Sequence, residues 1–206
     1  VWWGDLNLAS DGSIVSLVYP RSIDGDVACH RSTDFGRSWR LQGRIAYDPD
    51  TDADAQASGR TQGFTEPASV FLADGTLLAM LRTTDGLGVG PLYSSRSSDL
   101  GKTWSKPVVV NPSGVMPRML RLGNGVLVLS YGRPGAELRF SFDGTKLTLL
   151  EHGNILAVDT NRGLAEPSLI AFGGKFFLTI RHDLRGYVAR SDDGLQFSEP
   201  TPWRFD

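Results

Sequence analysis

The chain has 206 residues, of which 40% are hydrophobic and 21% are charged, and its formal net charge is −2. This composition suits a globular protein with a substantial core. The near-neutral charge argues against a nucleic-acid partner, because a sequence-independent nucleic-acid surface needs clustered basic residues. No apolar run approaches the ~20 residues that a membrane-spanning helix requires, so we expect no membrane span.

The single cysteine, Cys29, excludes an intrachain disulfide and leaves the redox compartment undecided. We expect it to be a small, buried, apolar residue. The cellular location stays open at this stage, with a secreted or periplasmic protein favoured.

Four turn signals along the chain each separate two short apolar runs, which is the strongest local pattern for a β-hairpin. These signals are Asp11-Gly12, Asp74-Gly75, Asn124-Gly125 and Gly173-Gly174. Each flanking run is near the usual length of a strand. The runs are Leu6–Ala9 with Ile14–Tyr19, Val70–Leu72 with Leu77–Leu81, Met119–Leu122 with Val126–Tyr131, and Leu169–Phe172 with Phe176–Ile180.

Each hairpin is followed by a polar or glycine-rich loop, a third short strand, a turn rich in Ser, Asp and Gly, and a fourth strand. The third strands are predicted at Val27–Arg31, Leu92–Arg96, Leu138–Ser141 and Tyr187–Arg190. The aspartate-rich segment Tyr47–Gly63 is predicted to be a long loop between the first two repeats. The sequence therefore predicts an all-β protein of repeated four-stranded antiparallel sheets.

The turn after the third strand contains an eight-residue phrase that occurs twice in full, at Ser32–Trp39 and Ser97–Trp104, and twice in part, at Ser141–Gly144 and Ser191–Phe197. Four-stranded units that repeat every 40–50 residues or so are typical of β-propeller blades. We expect a single β-propeller domain over 1–206, with blades at about 1–46, 64–111, 115–151 and 164–206.

The phrase Ser-x-Asp-x-Gly-x-x-Trp is the pattern of the Asp-box, or BNR repeat, and through it the chain resembles the sialidase (neuraminidase) superfamily of six-bladed propellers. The resemblance implies that the four visible blades are part of a larger ring and that the natural protein is longer, especially beyond Phe205-Asp206. We expect the box itself to be structural, because Asp and Ser side chains bond their own turn backbone and glycine adopts positive φ.

Strand direction predicts which end of each blade carries the chemistry. Successive strands are antiparallel, so the Asp-box lies at one end and the start of the first strand lies at the other. Alignment of the turns brings four charged residues to that second end, where they would surround one axis: Asp5, Glu66, Arg118 and Glu166. Such converging charges are the best active-site candidate in the sequence.

Arginines close the second strand of two blades, because Arg82 and Arg181 each lie seven residues after a turn glycine. The segment Thr65–Arg82 resembles the sialidase segment in which a glutamate begins a blade and an arginine ends the next strand. The resemblance implies that Glu66 is the base-like partner of a tyrosine nucleophile. It also implies that Arg82, and Arg118 as a further candidate, bind a substrate carboxylate through their planar guanidinium groups.

The fourth repeat supplies a second glutamate and arginine, in Glu166-Pro167 and Arg181-His182-Asp183. Glu166 is therefore a second catalytic candidate, and Arg181 and Asp183 are substrate-binding candidates. A carboxylate pair roughly 5–5.5 Å apart would suit a retaining glycosidase, and one roughly 6.5–9.5 Å apart an inverting glycosidase. The structural alternative is a Glu–Arg ion pair inside each blade.

Arg133 is a further substrate-binding candidate, since Tyr131–Pro134 is predicted to form the loop after a second strand. The loop acid/base aspartate and the tyrosine nucleophile of sialidases cannot be matched to residues of this chain. No organic cofactor is implied, and the three histidines, His30, His152 and His182, are too dispersed in the repeats to suggest a zinc site.

The sequence thus predicts a glycoside hydrolase similar to exo-sialidases, with a glycan bearing a terminal acidic sugar as its substrate. One alternative is a non-catalytic carbohydrate- or protein-binding propeller, which would not need converging glutamates. Another is a lyase of uronic-acid polymers, which would need a base such as Tyr131 or His182. The sugar, the linkage and the oligomeric state are not predicted.

Overall fold

The computed structural model describes residues 4–19, 25–50, 52–54, 63–83, 90–133, 135–141, 156–157, 167–182, 185–194 and 196–204. Within these ranges the chain forms sixteen β-strands, arranged as four antiparallel sheets of four strands each. Among the described residues, no helix is long and apolar enough to cross a membrane. The prediction of an all-β protein of repeated four-stranded antiparallel sheets is confirmed.

The chain divides into two compact units, Val1–Gly114 and Val115–Asp206. The first unit contains two sheets, each with its strands in sequence order. The first sheet is β1 (Leu6–Leu8), β2 (Ile14–Val18), β3 (Val27–Ser32) and β4 (Arg40–Ile45). The second sheet is β5 (Phe64–Phe71), β6 (Leu77–Thr83), β7 (Leu92–Ser97) and β8 (Val108–Asn111).

The core of the first unit lies between its two sheets. Alternate residues of a strand point to the same face, and here the apolar residues on one face of β2, β3 and β6 enter one cluster. The cluster includes Val15, Leu17, Val27 and Cys29 from the first sheet with Leu77, Ala79, Leu81 and Tyr93 from the second. Cys29 is buried, as predicted.

The second unit contains the other two sheets, again with each chain segment beside the next. The third sheet is β9 (Val115–Arg121), β10 (Leu127–Gly132), β11 (Gly135–Ser141) and β12 (Leu156–Ala157). The fourth sheet is β13 (Ser168–Phe172), β14 (Lys175–His182), β15 (Arg185–Ser191) and β16 (Thr201–Pro202). The core of the second unit contains residues of both sheets: Val128, Leu138, Phe140, Leu178, Ile180 and Ala189.

The four predicted hairpin turns lie where the sequence places them, and the third strands are longer than predicted. One prediction was wrong: the loop assigned to Tyr131–Pro134 begins later, because β10 ends at Gly132. Tyr131 lies in the strand, as the predicted run Val126–Tyr131 has it. The pairing of Tyr131 and Gly132 with Glu137 and Ala136 continues the ladder to the end of the strand. Of the predicted loop Tyr47–Gly63, the described residues contain no strand.

The two full Asp-boxes have matching geometry. Asp34 accepts hydrogen bonds from the Ser38 backbone N–H at 2.9 Å and from the Ser32 hydroxyl at 2.8 Å, and Gly36 has a φ of 82°. The Trp39 indole N–H donates to the Gly36 carbonyl at 3.0 Å. Asp99, Gly101 and Trp104 repeat these contacts. The side chains of the box therefore satisfy their own turn, which agrees with the structural role expected of it.

Candidate functional site

A β-bulge near the start of β5 positions Glu66. Thr65 pairs with Arg82 and Ala68 pairs with Met80, so β5 carries one more residue than β6 across this interval. The extra length falls at Glu66-Pro67. A bulge tolerates proline, which has no N–H to donate to the ladder. Glu66 has a φ of 46°, a left-handed conformation that is uncommon for residues other than glycine and is enriched at functional sites.

Glu66 forms an ion pair with Arg82 across the two strands. The Arg82 Nη1 donates to Glu66 Oε1 at 2.6 Å, and the two side chains are 15% and 16% exposed. The Nε of Arg82 is buried and has no hydrogen-bond partner among the residues that the structure describes. An unpaired buried donor is unfavourable by roughly 1–3 kcal/mol. The guanidinium therefore has one edge on the glutamate and an unused donor on another edge.

The aspartate-rich segment after β4 is hydrogen-bonded to the second sheet, at the end of the sheet that carries Arg82. The Asp50 backbone N–H donates to the Tyr93 hydroxyl at 2.9 Å, and Tyr93 pairs with Leu81, one rung from the Arg82 pair. Burial raises the pKa of Tyr93, and the charges of Asp50 and Asp54 act in the same direction. The sequence predicts only a loop for this segment and does not place its carboxylates at the end of the sheet that bears Arg82.

Asp5, a predicted substrate-binding residue, joins the two sheets of the first unit. Its Oδ2 accepts a hydrogen bond from the Ser69 backbone N–H at 3.0 Å. Nearby, Asn7 Nδ2 donates to the Ser69 hydroxyl at 2.8 Å. Asp5 therefore has a structural contact that its predicted role did not include.

The third sheet repeats the bulge with different side chains. Val115 pairs with Gly132 and Arg118 pairs with Ser130, and the extra residue falls at Met116-Pro117. Met116 has a φ of 51°, close to the 46° of Glu66. Arg118 is half-buried on β9. Its sheet therefore has the backbone of the Glu66 bulge, with methionine in the place of the glutamate.

Arg133 lies in the tight connection between β10 and β11. Its φ is 60°, and its backbone N–H donates to the Gly135 carbonyl at 2.8 Å. The last pairs before this connection are Gly132 with Ala136 and Tyr131 with Glu137. The connection is thus held on the end of a regular two-stranded ladder.

A polar network that the sequence analysis missed is centred on Tyr131, in the second pair of the ladder from the connection. The Tyr131 hydroxyl donates to the Glu137 carboxylate in a short hydrogen bond, and Arg139 Nε donates to the Tyr131 oxygen at 3.0 Å. Tyr131 is fully buried. Burial raises the pKa of Tyr131, and the hydrogen bond to Glu137 raises it further. The phenol is therefore held neutral with both hydrogen-bonding functions used, which suits a structural group better than a base or a nucleophile.

The remaining predicted residues lie in the fourth repeat. Arg181 is exposed on β14, where it pairs with Gly186. Glu166 and Asp183 lie outside the described residues, and so does the side chain of His182. Asp5, Glu66 and Arg82 belong to the first unit, whereas Arg118, Arg133 and Arg181 belong to the second. Among the described residues, no group of three or more His, Cys, Asp or Glu side chains could hold a metal ion.

No protein-family model matches the sequence, and no curated protein matches it. Solved structures do share its fold. The Hadza microbial sialidase Hz136 is 23% identical with a TM-score of 0.63, and the match covers 94% of this chain and 45% of that chain. Bacteroides ovatus GH43B, from a xyloglucan PUL, is 16% identical with a TM-score of 0.65, covering 98% of this chain and 41% of that chain.

A xylan β-1,4-xylosidase from Bacillus halodurans C-125 is 18% identical with a TM-score of 0.60, and the match covers 91% of this chain and 39% of that chain. These three structures are β-propeller glycoside hydrolases, and the predicted β-propeller architecture of four-stranded blades is confirmed. The chain spans about half, or less, of the length of the structures it matches.

Proposed function

We propose that this chain is part of a sialidase-like glycoside hydrolase that removes a terminal acidic sugar from a glycan. The propeller fold that it shares with glycoside hydrolases supports the reaction class. The observation that carries the proposal is the Arg82 guanidinium, which is paired through Nη1 with Glu66 and has a buried Nε for which the described part of the chain offers no hydrogen-bond partner.

The chemistry of that guanidinium favours a carboxylate ligand. Arginine binds carboxylates with two parallel N–H donors in one plane, and the use of Nη1 by Glu66 leaves the Nε edge for a ligand. A substrate oxygen at Nε would satisfy a buried donor that no described residue accepts from. We therefore assign Arg82 to the carboxylate of an acidic sugar, with Arg118, Arg133 and Arg181 as further substrate-binding candidates.

Glu66 is assigned a catalytic role beside that ligand. Its left-handed backbone at a bulge holds the side chain against Arg82, and strained backbone of this kind is typical of residues whose position matters to function. Glu166 remains the proposed second catalytic carboxylate, with Asp183 as a proposed substrate-binding residue of the same repeat. Asp5 remains a proposed substrate-binding residue, although its contact with Ser69 also gives it a structural role.

The lyase alternative is weakened by the position of Tyr131. A base that removes the proton α to a uronic-acid carboxylate must reach the substrate, whereas Tyr131 is fully buried and hydrogen-bonded to Glu137 and Arg139. The non-catalytic binding module is the alternative that the following experiment must separate from the enzyme.

The test is a screen of the full-length gene product against 4-methylumbelliferyl glycosides, sialic acid included, beside a Glu66→Gln variant. We expect the wild-type protein to turn over an acidic glycoside and Glu66→Gln to lose on the order of 10²-fold or more in kcat. Glu199→Gln is the matched control, since Glu199 is exposed near the last strand, and it should behave as wild type.

Two outcomes would contradict the proposal. Binding of an acidic glycan without turnover, by wild type and Glu66→Gln alike, would identify a binding module. Turnover that Glu66→Gln leaves unchanged would remove Glu66 from the catalytic site while leaving the enzyme class intact.

A further inference from the structure

The backbone at Glu66 is strained, and the strand ladder skips it. Its φ of 46° is a left-handed conformation, which residues other than glycine keep only where the surrounding structure fixes it. The ladder between β5 and β6 pairs Thr65 with Arg82 and next pairs Ala68 with Met80. The position of Glu66 therefore depends on what holds the residues just before it.

Two glycines bring the first sheet against those residues. Gly63 lies just before β5, and Gly25 lies just before β3 of the first sheet. The Phe64 backbone N–H donates to the Gly25 carbonyl at 2.9 Å. A Cβ on Gly63 would lie 2.1 Å from the Gly25 Cα, and a Cβ on Gly25 would lie 2.7 Å from the Gly63 Cα. The two backbones can touch in this way only because both residues are glycine.

The side chain of Phe64 is fixed as well as its backbone. Phe64 is 1% exposed. Its ring centroid lies 4.9 Å from that of Tyr47, in an edge-to-face contact, and 5.2 Å from that of Tyr93. One backbone hydrogen bond and two aromatic contacts thus hold Phe64, which is two residues before Glu66.

The third sheet shows that a bulge of this kind forms without the two glycines. Met116 occupies the place of Glu66, with a φ of 51°. The positions that correspond to Gly63-Phe64 hold Ser113-Gly114, so the third sheet has no phenylalanine ring there. The bulge itself therefore does not require the Gly25–Gly63 contact, and the contact accompanies the sheet that carries the glutamate.

We propose that Gly25, Gly63 and Phe64 are positioning residues, which hold Glu66 at the angle at which it meets Arg82 and a bound substrate. This inference rests on the proposed function, because it takes Glu66 to be a catalytic residue. A misplacement of about 1 Å in a catalytic constellation can lower a rate by about 10²-fold. Residues that fix the backbone two positions away therefore bear directly on turnover.

The substrate-binding arginine is held by different contacts. Arg82 lies within β6 and pairs with Leu92 of β7, on the side of the strand away from β5. Loss of the Gly25–Gly63 contact should therefore displace Glu66 more than Arg82. The expected signature is a lower kcat with a KM that changes by less than about twofold.

The test is a double-mutant cycle of Gly63→Ala with Glu66→Gln in the full-length gene product, measured by turnover of an acidic 4-methylumbelliferyl glycoside. We expect Gly63→Ala to lower kcat by about 10- to 10²-fold when Glu66 is present. In the Glu66→Gln background it should lower kcat by less than about twofold, because a residue that acts through Glu66 then has nothing to position. A merely structural effect would lower kcat by the same factor in both backgrounds.

Gly12→Ala is the matched control for the glycine substitution. Its φ is 80°, the same as that of Gly63, but a Cβ there would meet no heavy atom of the described residues within 4 Å beyond its chain neighbours. Gly12→Ala should leave both kcat and KM unchanged.

Phe64→Leu is a milder variant, which keeps the inference testable if Gly63→Ala does not fold. It retains the backbone hydrogen bond to Gly25 and removes the two ring contacts. We expect kcat to fall by about three- to tenfold when Glu66 is present and to change little in the Glu66→Gln background. Phe140→Leu, at a fully buried phenylalanine of the third sheet, should lower the unfolding midpoint in urea and leave kcat unchanged.

Two results would overturn the inference, and they can be told apart. If Glu66→Gln lowers kcat, but Gly63→Ala and Phe64→Leu have no effect or the same effect in both backgrounds, the positioning role is wrong and the proposed function stands. If Glu66→Gln alone leaves turnover unchanged, Glu66 is not catalytic, and the positioning role is lost together with that part of the proposed function.

Discussion

The second sheet carries a carboxylate at each end, Asp99 on the turn after β7 and Glu66 on the bulge of β5. Asp99 accepts hydrogen bonds from the Ser97 hydroxyl at 2.8 Å, the Thr103 hydroxyl at 2.6 Å, and the backbone N–H groups of Lys102 and Thr103 at 3.0 and 2.9 Å. Glu66 instead contacts Arg82, whose Nε has no partner within the described ranges. The acceptors of Asp99 are used by hydrogen bonds within its own turn. Glu66 instead pairs with an arginine that keeps one unused donor.

This difference assigns protein stability to one end of the second sheet and ligand binding to the other. A carboxylate whose acceptors are all used by nearby N–H and O–H groups fixes a turn and has little left for a ligand. A guanidinium with an unused buried donor gains from a ligand that supplies an acceptor. Substitutions at the Asp-box end should therefore change folding, and substitutions at the Glu66 end should change function.

The largest expected effect is at Gly101, in the second Asp-box. A Cβ on Gly101 would lie 2.2 Å from Cys29 Sγ, at a φ of 86°. Gly101→Ala should therefore lower the free energy of unfolding by about 3 kcal/mol or more, through overpacking and left-handed strain, as measured by urea denaturation. Gly36→Ala is the matched control: its φ is 82°, but its nearest neighbour is the Trp39 ring at 3.7 Å. Gly36→Ala should lower the free energy of unfolding by only about 1 kcal/mol. Equal losses of stability in the two variants would show that the contact of Gly101 with Cys29 does not matter to stability.

The next effect belongs to Arg82. Lysine keeps the charge that pairs with Glu66 but lacks the planar fork for a carboxylate. Arg82→Lys should reduce kcat/KM for an acidic glycoside by about 10²–10³-fold, while the unfolding midpoint in urea changes little. Arg121→Lys, at an exposed position of β9, is the control and should leave kcat/KM and the unfolding midpoint unchanged. Undiminished turnover in Arg82→Lys would show that Arg82 serves only the ion pair.

Local patterns predicted the sheets because they depend on neighbours in sequence. The turn dipeptides Asp11-Gly12 and Asp74-Gly75 mark hairpins, and alternation in Leu77–Leu81 continues the strand from the turn. The Asp-box was readable for the same reason, since Asp34 and Asp99 bond residues at most four positions away.

The site was only partly predictable because its contacts are long-range. The Asp50 bond to Tyr93 joins residues 43 apart, and nothing in the loop composition specifies that partner. The sequence places Tyr131 at the end of a strand and the start of a loop, and only the register of β10 with β11 brings its hydroxyl to Glu137. Glu66 and Arg82 could be paired from the sequence, since hairpin geometry alone places both at one end of the sheet.

A smaller effect is expected at the aspartate of the box. Asp99→Ala removes the acceptor of four hydrogen bonds and should lower the free energy of unfolding by about 1 kcal/mol, as loss of a comparable capping aspartate does. Asp34→Ala should likewise lower the melting temperature. Both variants should keep the kcat/KM of the wild type. An inactive variant with an unchanged melting temperature would place the box in the functional site and remove the contrast between the two ends.

The smallest effect is on acid stability, and its sign follows from the same hydrogen bonds. The Ser38 hydroxyl and backbone lower the pKa of Asp34, and the Thr103 hydroxyl and backbone lower that of Asp99, in each case from 3.8 to about 2. Between these values the unfolded chain binds more protons than the folded one, so stability rises with pH in this window and is lost as pH falls from about 4 to about 2. Replacement of both residues by asparagine should flatten that part of a plot of melting temperature against pH. Glu66→Gln serves as the comparison, because Glu66 lies at the other end of the sheet. This variant should keep the steep fall in melting temperature between about pH 4 and 2. If Glu66→Gln also flattens that fall, the Asp-boxes do not account for it.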